Sequence, residues 1–203
     1  MPITNYSLRE REIMCGRYYV EIDDREIEEI TRKIQEQRRD EESQLSIKMS
    51  GEIFPTDVVS VQTGQNDYAA MKWGFPGFKG NDVLINARSE TALEKKTFKA
   101  AMEKRRCLIP ASGYYEWKKT GGGKIKHRFY VPNKLIYLAG CWQQIGDELP
   151  CFVILTRDAV GAAREIHERM PVIIPPNRAG AWLHKSPSVM SESVTDLVAE
   201  AVA

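Results

Sequence analysis

The sequence predicts an α+β fold: a single domain around a curved, mostly antiparallel β-sheet or barrel-like core with flanking helices. Three observations lead there. Hairpin-spaced apolar runs recur along the chain, helical periodicity is confined to short segments between them, and no Gly/Ser/Pro-rich linker divides the 203 residues. With 42% hydrophobic and 28% charged residues, the composition is that of an ordinary folded protein with an adequate core.

Taken in order, residues 17–22 read as a strand with Tyr18, Val20 and Ile22 on one face. Asp23 or Asp24 can cap the next helix, whose Ile27, Ile30 and Ile34 form a narrow apolar stripe before a polar surface run at 37–43. Residues 58–62 and 68–73 flank Thr63-Gly64-Gln65-Asn66-Asp67, the pattern of a hairpin. Gly74-Phe75-Pro76-Gly77-Phe78-Lys79-Gly80 holds three glycines and a proline, which exclude regular structure there; its aromatics suit a binding loop or the core. Ser89 is placed to cap a short helix continuing to Lys104.

From there the signals are mostly strands, at 107–109, 114–118, 127–131, 135–143 and 151–156, with a Gly121-Gly122-Gly123 turn. Residues 158–168 fit one helix. Residues 171–175, bracketed by prolines, fit a strand at a sheet edge. Asn177 and Ser191 suit the N-caps of two short C-terminal helices.

Composition also narrows the function. The apolar run 135–142 is too short to span a bilayer, and Arg9-Glu10-Arg11-Glu12 interrupts any signal-peptide core, so a cytoplasmic protein is expected. Four cysteines, Cys15, Cys107, Cys141 and Cys151, are widely spaced without a C-x-x-C pair, which suggests neither a disulfide framework nor a metal site. No cofactor is expected. Net charge is only +1, yet residues 21–42 hold ten acidic and five basic side chains whereas 95–128 hold eleven basic and two acidic. Such asymmetry suits either a polyanion-binding face or a solvated charged surface.

Several polar residues stand in apolar company, each open to two readings. If the chain began at Cys15, that residue would carry an α-amine and a thiol together, the pair that condenses with an aldehyde to an imine and closes a thiazolidine ring; otherwise Cys15 is a small buried residue opening a strand. Glu116, within Gly113-Tyr114-Tyr115-Glu116-Trp117, is either a desolvated general acid or an edge glutamate facing water. His167 suits a proton shuttle or a structural role. Asn86 and Arg88 lie two apart, so an extended segment puts amide and guanidinium on one side, toward a sugar-phosphate or as a loop anchor. Trp73 can stack on a base or fill the core.

Six segments in a fixed order carry a resemblance. They are Met14-Cys15-Gly16-Arg17, Trp73-Gly74, Asn86-Ala87-Arg88-Ser89-Glu90-Thr91, Arg106-Cys107-Leu108-Ile109-Pro110 with Gly113-Tyr114-Tyr115-Glu116-Trp117, Ala139-Gly140-x-Trp142, and His167-x-Arg169-Met170-Pro171-Val172. From Met14 to about Pro175 the chain resembles the SRAP family, the SOS response-associated peptidase or abasic-site processing proteins. The resemblance implies a DNA-damage protein, a monomer, that binds single-stranded DNA and crosslinks to abasic sites. Cys15 would be the nucleophile, Asn86 the residue orienting its amine or the sugar, Glu116 the general acid/base and His167 a proton-transfer group. Arg17, Arg88 and Arg169 would contact phosphates and Trp73 would stack beside the lesion. It also implies a β-elimination lyase activity and autoproteolysis that exposes Cys15. Family members usually start at the methionine before the cysteine, so residues 1–14 are expected to be absent or removed in the active form, leaving 15–203 as the domain. Two other classes compete on the residues alone: a cysteine peptidase using Cys15 and His167, and a non-catalytic single-stranded DNA-binding module.

Overall fold

The computed structural model describes residues 15–21, 25–37, 46–77, 82–184 and 186–202. In chain order the first elements are β1 (Arg17–Val20), α1 (Arg25–Gln37), β2 (Gly51–Ile53), β3 (Val58–Gln62), β4 (Tyr68–Trp73), β5 (Phe75–Pro76), β6 (Val83–Leu84) and β7 (Asn86–Arg88). Then come α2 (Lys96–Lys104), β8 (Arg106–Ala111), β9 (Gly113–Thr120), β10 (Gly123–Tyr130), β11 (Ile136–Gln143) and β12 (Cys151–Asp158). The last are β13 (Arg169–Pro171), β14 (Ile173–Ile174), α3 (Ala179–His184) and β15 (Val198–Ala201), with 3-10 turns at Gly161–Glu165, Pro176–Arg178 and Pro187–Glu192.

One layer is a ring: β12 pairs with β4, β4 with β3, β3 with β8, β8 with β11, and β11 returns to β12, closing a five-stranded barrel. The second layer is the antiparallel sheet β15-β10-β9-β1-β2. Both layers contribute to one apolar core, Tyr18, Ile53, Tyr114 and Phe129 from the sheet meeting Met71, Trp73, Ile109, Leu138, Phe152 and Ile154 from the barrel. The opposite barrel face is covered as well. Leu108, Ala139, Val153 and Leu155 pack with Phe98 and Met102 of α2 and Trp182 of α3. Strands covered on both faces read as continuous apolar runs, which is why β8, β11 and β12 show so little alternation. Ile30 and Ile34 of α1 lie against Ala70 of β4, as the apolar stripe requires.

The chain crosses from barrel to sheet between β8 and β9. A Cβ on Gly113 would run into the Phe129 carbonyl and the Tyr19 ring, so the crossing needs glycine. This corner sets where Glu116 lies, three residues further on.

The hairpin at 58–62 and 68–73 forms as expected. Other expectations are corrected. The segment 171–175 is not an edge strand. β11 and β12 pair only at Gly140–Gln143 and Cys151–Ile154, then splay, and β13 and β14 fill the gap, β13 on β12 and β14 on β11. The helix expected over 158–168 is absent because β12 runs on to Asp158, and Gly161, with φ of 56°, opens only a 3-10 turn. Ser89 caps no helix: its N–H donates to the Thr156 carbonyl at 2.8 Å, and α2 starts at Lys96 after a run of turns. The glycine-rich loop holds regular structure after all, Phe75 and Pro76 pairing with Leu84 and Val83 around a buried Phe75. In the C-terminal segment Asn177 and Ser191 sit inside 3-10 turns, the cap is Ser186, and the chain ends on β15 beside β10. The expected caps Asp23 and Asp24, the polar run at 38–43, Phe78 to Gly80 and the extension 1–14 lie outside the described residues.

Trp73 is likewise corrected from base-stacking residue to core residue. It is fully buried, tilted against Tyr18 at 5.3 Å and parallel to Phe152 at 6.4 Å, with its indole N–H donating to the Ile85 carbonyl at 3.0 Å. Trp73→Ala is therefore expected to destabilise the fold by about 3–5 kcal/mol. Thermal denaturation should show Tm lowered by roughly 10 °C.

Candidate active site

Cys15 precedes β1, and β1 runs beside β9 with Arg17 opposite Tyr115 and Tyr18 opposite Tyr114. Continuing that register toward the N-terminus brings Gly16 opposite Glu116, with Cys15 the next residue out. The Cys15 main-chain N–H donates to Glu116 Oε1 at 2.6 Å, and both residues are buried. Cys15 also holds a left-handed backbone, φ of 46°, which an L residue with a side chain rarely adopts.

Burial dominates the electrostatics here. It pushes the Glu116 carboxyl up to about 8, against the opposing pull of hydrogen bonds from the Cys15 and Trp117 backbone. Burial, with the Glu116 charge behind it, also raises the Cys15 thiol well above its ordinary range. Glu116 thus stays protonated at neutral pH and releases its proton just above it, the behaviour a proton-transferring group needs.

Period-two geometry divides β9 into two faces. Tyr114 and Glu116 point inward, while Tyr115 and Trp117 face outward and are partly exposed. On the outward face the Arg17 guanidinium lies 3.9 Å from the Phe54 ring centroid and 5.7 Å from that of Trp117, with a 2.9 Å bond to Glu52. Lys126 sits 3.9 Å from the Tyr115 ring and bonds Glu52 at 2.8 Å. Burial alone would raise Glu52, but the bonds from Lys126 and Arg17 outweigh it and its carboxyl is lowered. Sequence reasoning missed Trp117, Phe54, Lys126 and Glu52 as a group; the alternation of Tyr115 and Trp117 around Glu116 was the available signal.

Asn86, Arg88, His167 and Arg169 enter from the barrel. β7 runs parallel to β12 with Asn86 opposite Ile154 and Arg88 opposite Thr156, while Pro171 of β13 faces Thr156 from the other side. Asn86 is half-buried and Arg88 is exposed. The His167 Nδ1 lies 3.1 Å from the Arg169 main-chain nitrogen and 3.2 Å from the Arg169 carbonyl oxygen, accepting from the first or donating to the second according to its tautomer.

Arg169 is corrected from a phosphate contact to an internal anchor. It is only 5% exposed, grips both Glu90 oxygens at 2.7 and 2.8 Å, bonds the Thr156 carbonyl at 2.9 Å and pairs with Asp158. That bidentate contact holds the Glu90 carboxyl down at about 2. A depressed carboxyl contributes stability that is complete above its ordinary value of 4.5 and is lost as pH falls toward about 2. Glu90→Gln is accordingly expected to flatten the loss of stability across that window, read by denaturant titration at pH 5 and pH 2.5. Arg106, one of the eleven basic residues in 95–128, is also withdrawn from any positive face, its guanidinium bonding the Met102 carbonyl at 2.7 Å.

Among the described residues no group of three or more His, Cys, Asp or Glu side chains could hold a metal ion. No helix among them is long and apolar enough to cross a membrane.

A closed barrel faced by a second sheet thus carries, just ahead of its first strand, a cysteine held by its main-chain nitrogen on a buried glutamate. The chain belongs to the SOS response associated peptidase (SRAP) family, whose model matches residues 14–203. It is similar to the abasic site processing protein YedK of Escherichia coli, 34% identical over 118 residues, 56% of this chain and 53% of that protein. It is also similar to the abasic site processing protein YMR114C of Saccharomyces cerevisiae, 31% identical over 150 residues, 67% of this chain and 40% of that one. The chain spans about half the length of the curated relatives it matches. Two solved structures share the fold: one from Bordetella bronchiseptica, with TM-score 0.72, 23% identity and coverage of 93% of this chain and 100% of that one, and one from Bacteroides thetaiotaomicron, with TM-score 0.71, 20% identity and coverage of 92% of each chain.

Proposed function

We propose that this chain binds single-stranded DNA at abasic sites during the DNA damage response and joins covalently to the sugar through the α-amine and thiol of Cys15. The observation that carries this reading is the 2.6 Å hydrogen bond from the Cys15 nitrogen to a carboxyl that titrates at about 8. In the working form residues 1–14 are absent and that nitrogen is an amine, with an ordinary pKa of about 7.7–8.0. Two groups that titrate in one range and share a hydrogen bond exchange a proton readily near neutral pH.

The chemistry follows from that exchange. The amine attacks C1′ of the ring-opened sugar and the carbonyl electron pair moves to oxygen. Glu116 supplies, one after the other, the two protons with which that oxygen leaves as water, and after each transfer takes back a proton from the nitrogen, whose two hydrogens are thus lost as the C=N bond forms. Thiol addition to the imine carbon then sends the C=N pair to nitrogen and the thiol proton to the same atom, closing a thiazolidine. The imine also acidifies C2′–H, and loss of that proton expels the 3′-phosphate, which is the lyase step. Asn86 orients the amine or sugar, and His167 assists proton transfer at the opened sugar. Arg17 and Arg88 contact phosphates, with the partly exposed Trp117 beside Arg17 as the stacking surface. The relatives' shared description as abasic site processing proteins supports the substrate.

Release of the N-terminal segment uses the same groups. The Cys15 thiol attacks the Met14 carbonyl, the departing nitrogen takes a proton from Glu116, the thiol proton restores that carboxyl, and water hydrolyses the resulting thioester. Hydrolysis of other peptides by a Cys15 thiolate is the weaker reading, because burial and the Glu116 charge raise this thiol, the reverse of what a thiolate–imidazolium pair needs.

Intact mass spectrometry before and after incubation with an abasic oligonucleotide tests the reading. The expected result is a chain beginning at Cys15 that gains the mass of the DNA less water. A chain that begins at Cys15 and gains nothing overturns it.

A further inference from the structure

Tyr114 lies two residues before Glu116 on β9, so the two side chains share the inward face. It is fully buried. Its ring stacks on Phe129 at 4.7 Å with planes 9° apart, which fixes where the hydroxyl points. The hydroxyl oxygen is buried and has no hydrogen-bond partner among the described residues. A buried tyrosine normally finds a partner for its O–H, and one left without is an exception that asks for a reason.

The surroundings supply one. Burial holds the Tyr114 hydroxyl protonated, and the titratable neighbours Cys15 and Glu116 act in the same direction. A fixed, dry, unengaged donor beside a nucleophile is the arrangement that stabilises charge appearing only during reaction. Tyr18, the residue opposite Tyr114 in the β1–β9 register, is buried against Trp73 and fills the core on that side.

We infer that the Tyr114 hydroxyl is a catalytic group that donates a hydrogen bond to the aldehyde oxygen while the Cys15 amine attacks. As the N–C1′ bond forms, the C=O pair moves to oxygen, and Tyr114 holds that developing alkoxide without giving up its proton. Glu116 then delivers in turn the two protons with which the oxygen leaves as water, the nitrogen restoring the carboxyl after each, and Tyr114 is unchanged. This assigns the two inward residues of β9 separate tasks: Tyr114 supports the oxygen and Glu116 moves the protons. The inference rests on the abasic-aldehyde reading above.

Tyr114→Phe, in a chain beginning at Cys15, removes one oxygen and keeps the ring on Phe129. The measurements are the single-turnover rate of adduct formation with an abasic oligonucleotide at saturating protein, the affinity for the same oligonucleotide without the lesion, and Tm. The expected result is a saturated rate lower by roughly ten- to a hundred-fold, from loss of one hydrogen bond to a charged atom. Affinity is expected to be unchanged, and Tm unchanged or raised, because the variant no longer buries an orphaned hydroxyl. Equal saturated rates for the two chains overturn the inference alone. A fall in rate matched by a fall in Tm also overturns it, since the role is then structural. No adduct from the unaltered chain overturns the aldehyde reading and the inference with it.

Discussion

Cys15→Ala, in a chain beginning at residue 15, is expected to lose the denaturant-resistant adduct with abasic single-stranded DNA completely while still folding. Cys15 is 1% exposed and alanine fits the space it leaves. The variant keeps the α-amine and its bond to Glu116, so the imine still forms, and it reverses or passes on to β-elimination unless borohydride reduces it. Borohydride trapping without a stable adduct is thus the specific signature, separating loss of ring closure from loss of DNA binding. An undiminished denaturant-resistant crosslink would remove Cys15 from the mechanism.

Glu116→Gln is expected to have the next largest effect, lowering the crosslinking rate by about 10²–10⁴-fold, the range for loss of one positioned proton-transfer group. It should also remove the alkaline fall in rate. In the unaltered chain the protonated carboxyl acts, so the step that needs it falls off as pH rises through about 8. The same shift has a stability sign. Because the folded carboxyl is raised above its ordinary 4.5, the native state binds more protons than the unfolded one between these values, and stability declines as pH rises from 4.5 to about 8. Glutamine carries no such penalty. The variant should therefore melt closer to, or above, the unaltered protein at pH 8.5 than at pH 5. A Glu116→Gln chain that crosslinks at the original rate at every pH would assign the proton transfer elsewhere.

What the sequence made legible followed physical signals of short range. The hairpin of β3 and β4 was readable because a turn-forming run separates two apolar stretches, and α1 because Ile27, Ile30 and Ile34 repeat at helical spacing. Glu116 stood out because a carboxylate among aromatics has few inert explanations. The failures needed knowledge of partners distant in sequence. Nothing local to residues 169–174 says that β11 and β12 splay to admit them, and nothing local to Arg169 says that Glu90, 79 positions away, waits to bind it. Trp73 illustrates the same limit, since a tryptophan at a loop edge looks accessible until Tyr18 and Phe152 enclose it. β2 and β15 were missed because strands of three or four residues, the latter largely exposed, leave almost no hydrophobic pattern.

The left-handed backbone of Cys15 bears on which form of the chain the fold prefers. A positive φ is unfavourable, by of order 1–2 kcal/mol, because the preceding carbonyl crowds the residue's own Cβ and carbonyl. At the first residue of a chain no carbonyl precedes, the torsion has no steric meaning, and the strain disappears. On the proposed function the domain holds Cys15 in a shape that suits a beginning and disfavours a middle, and removing the residues ahead of it would relax the protein at the atom where that chemistry starts.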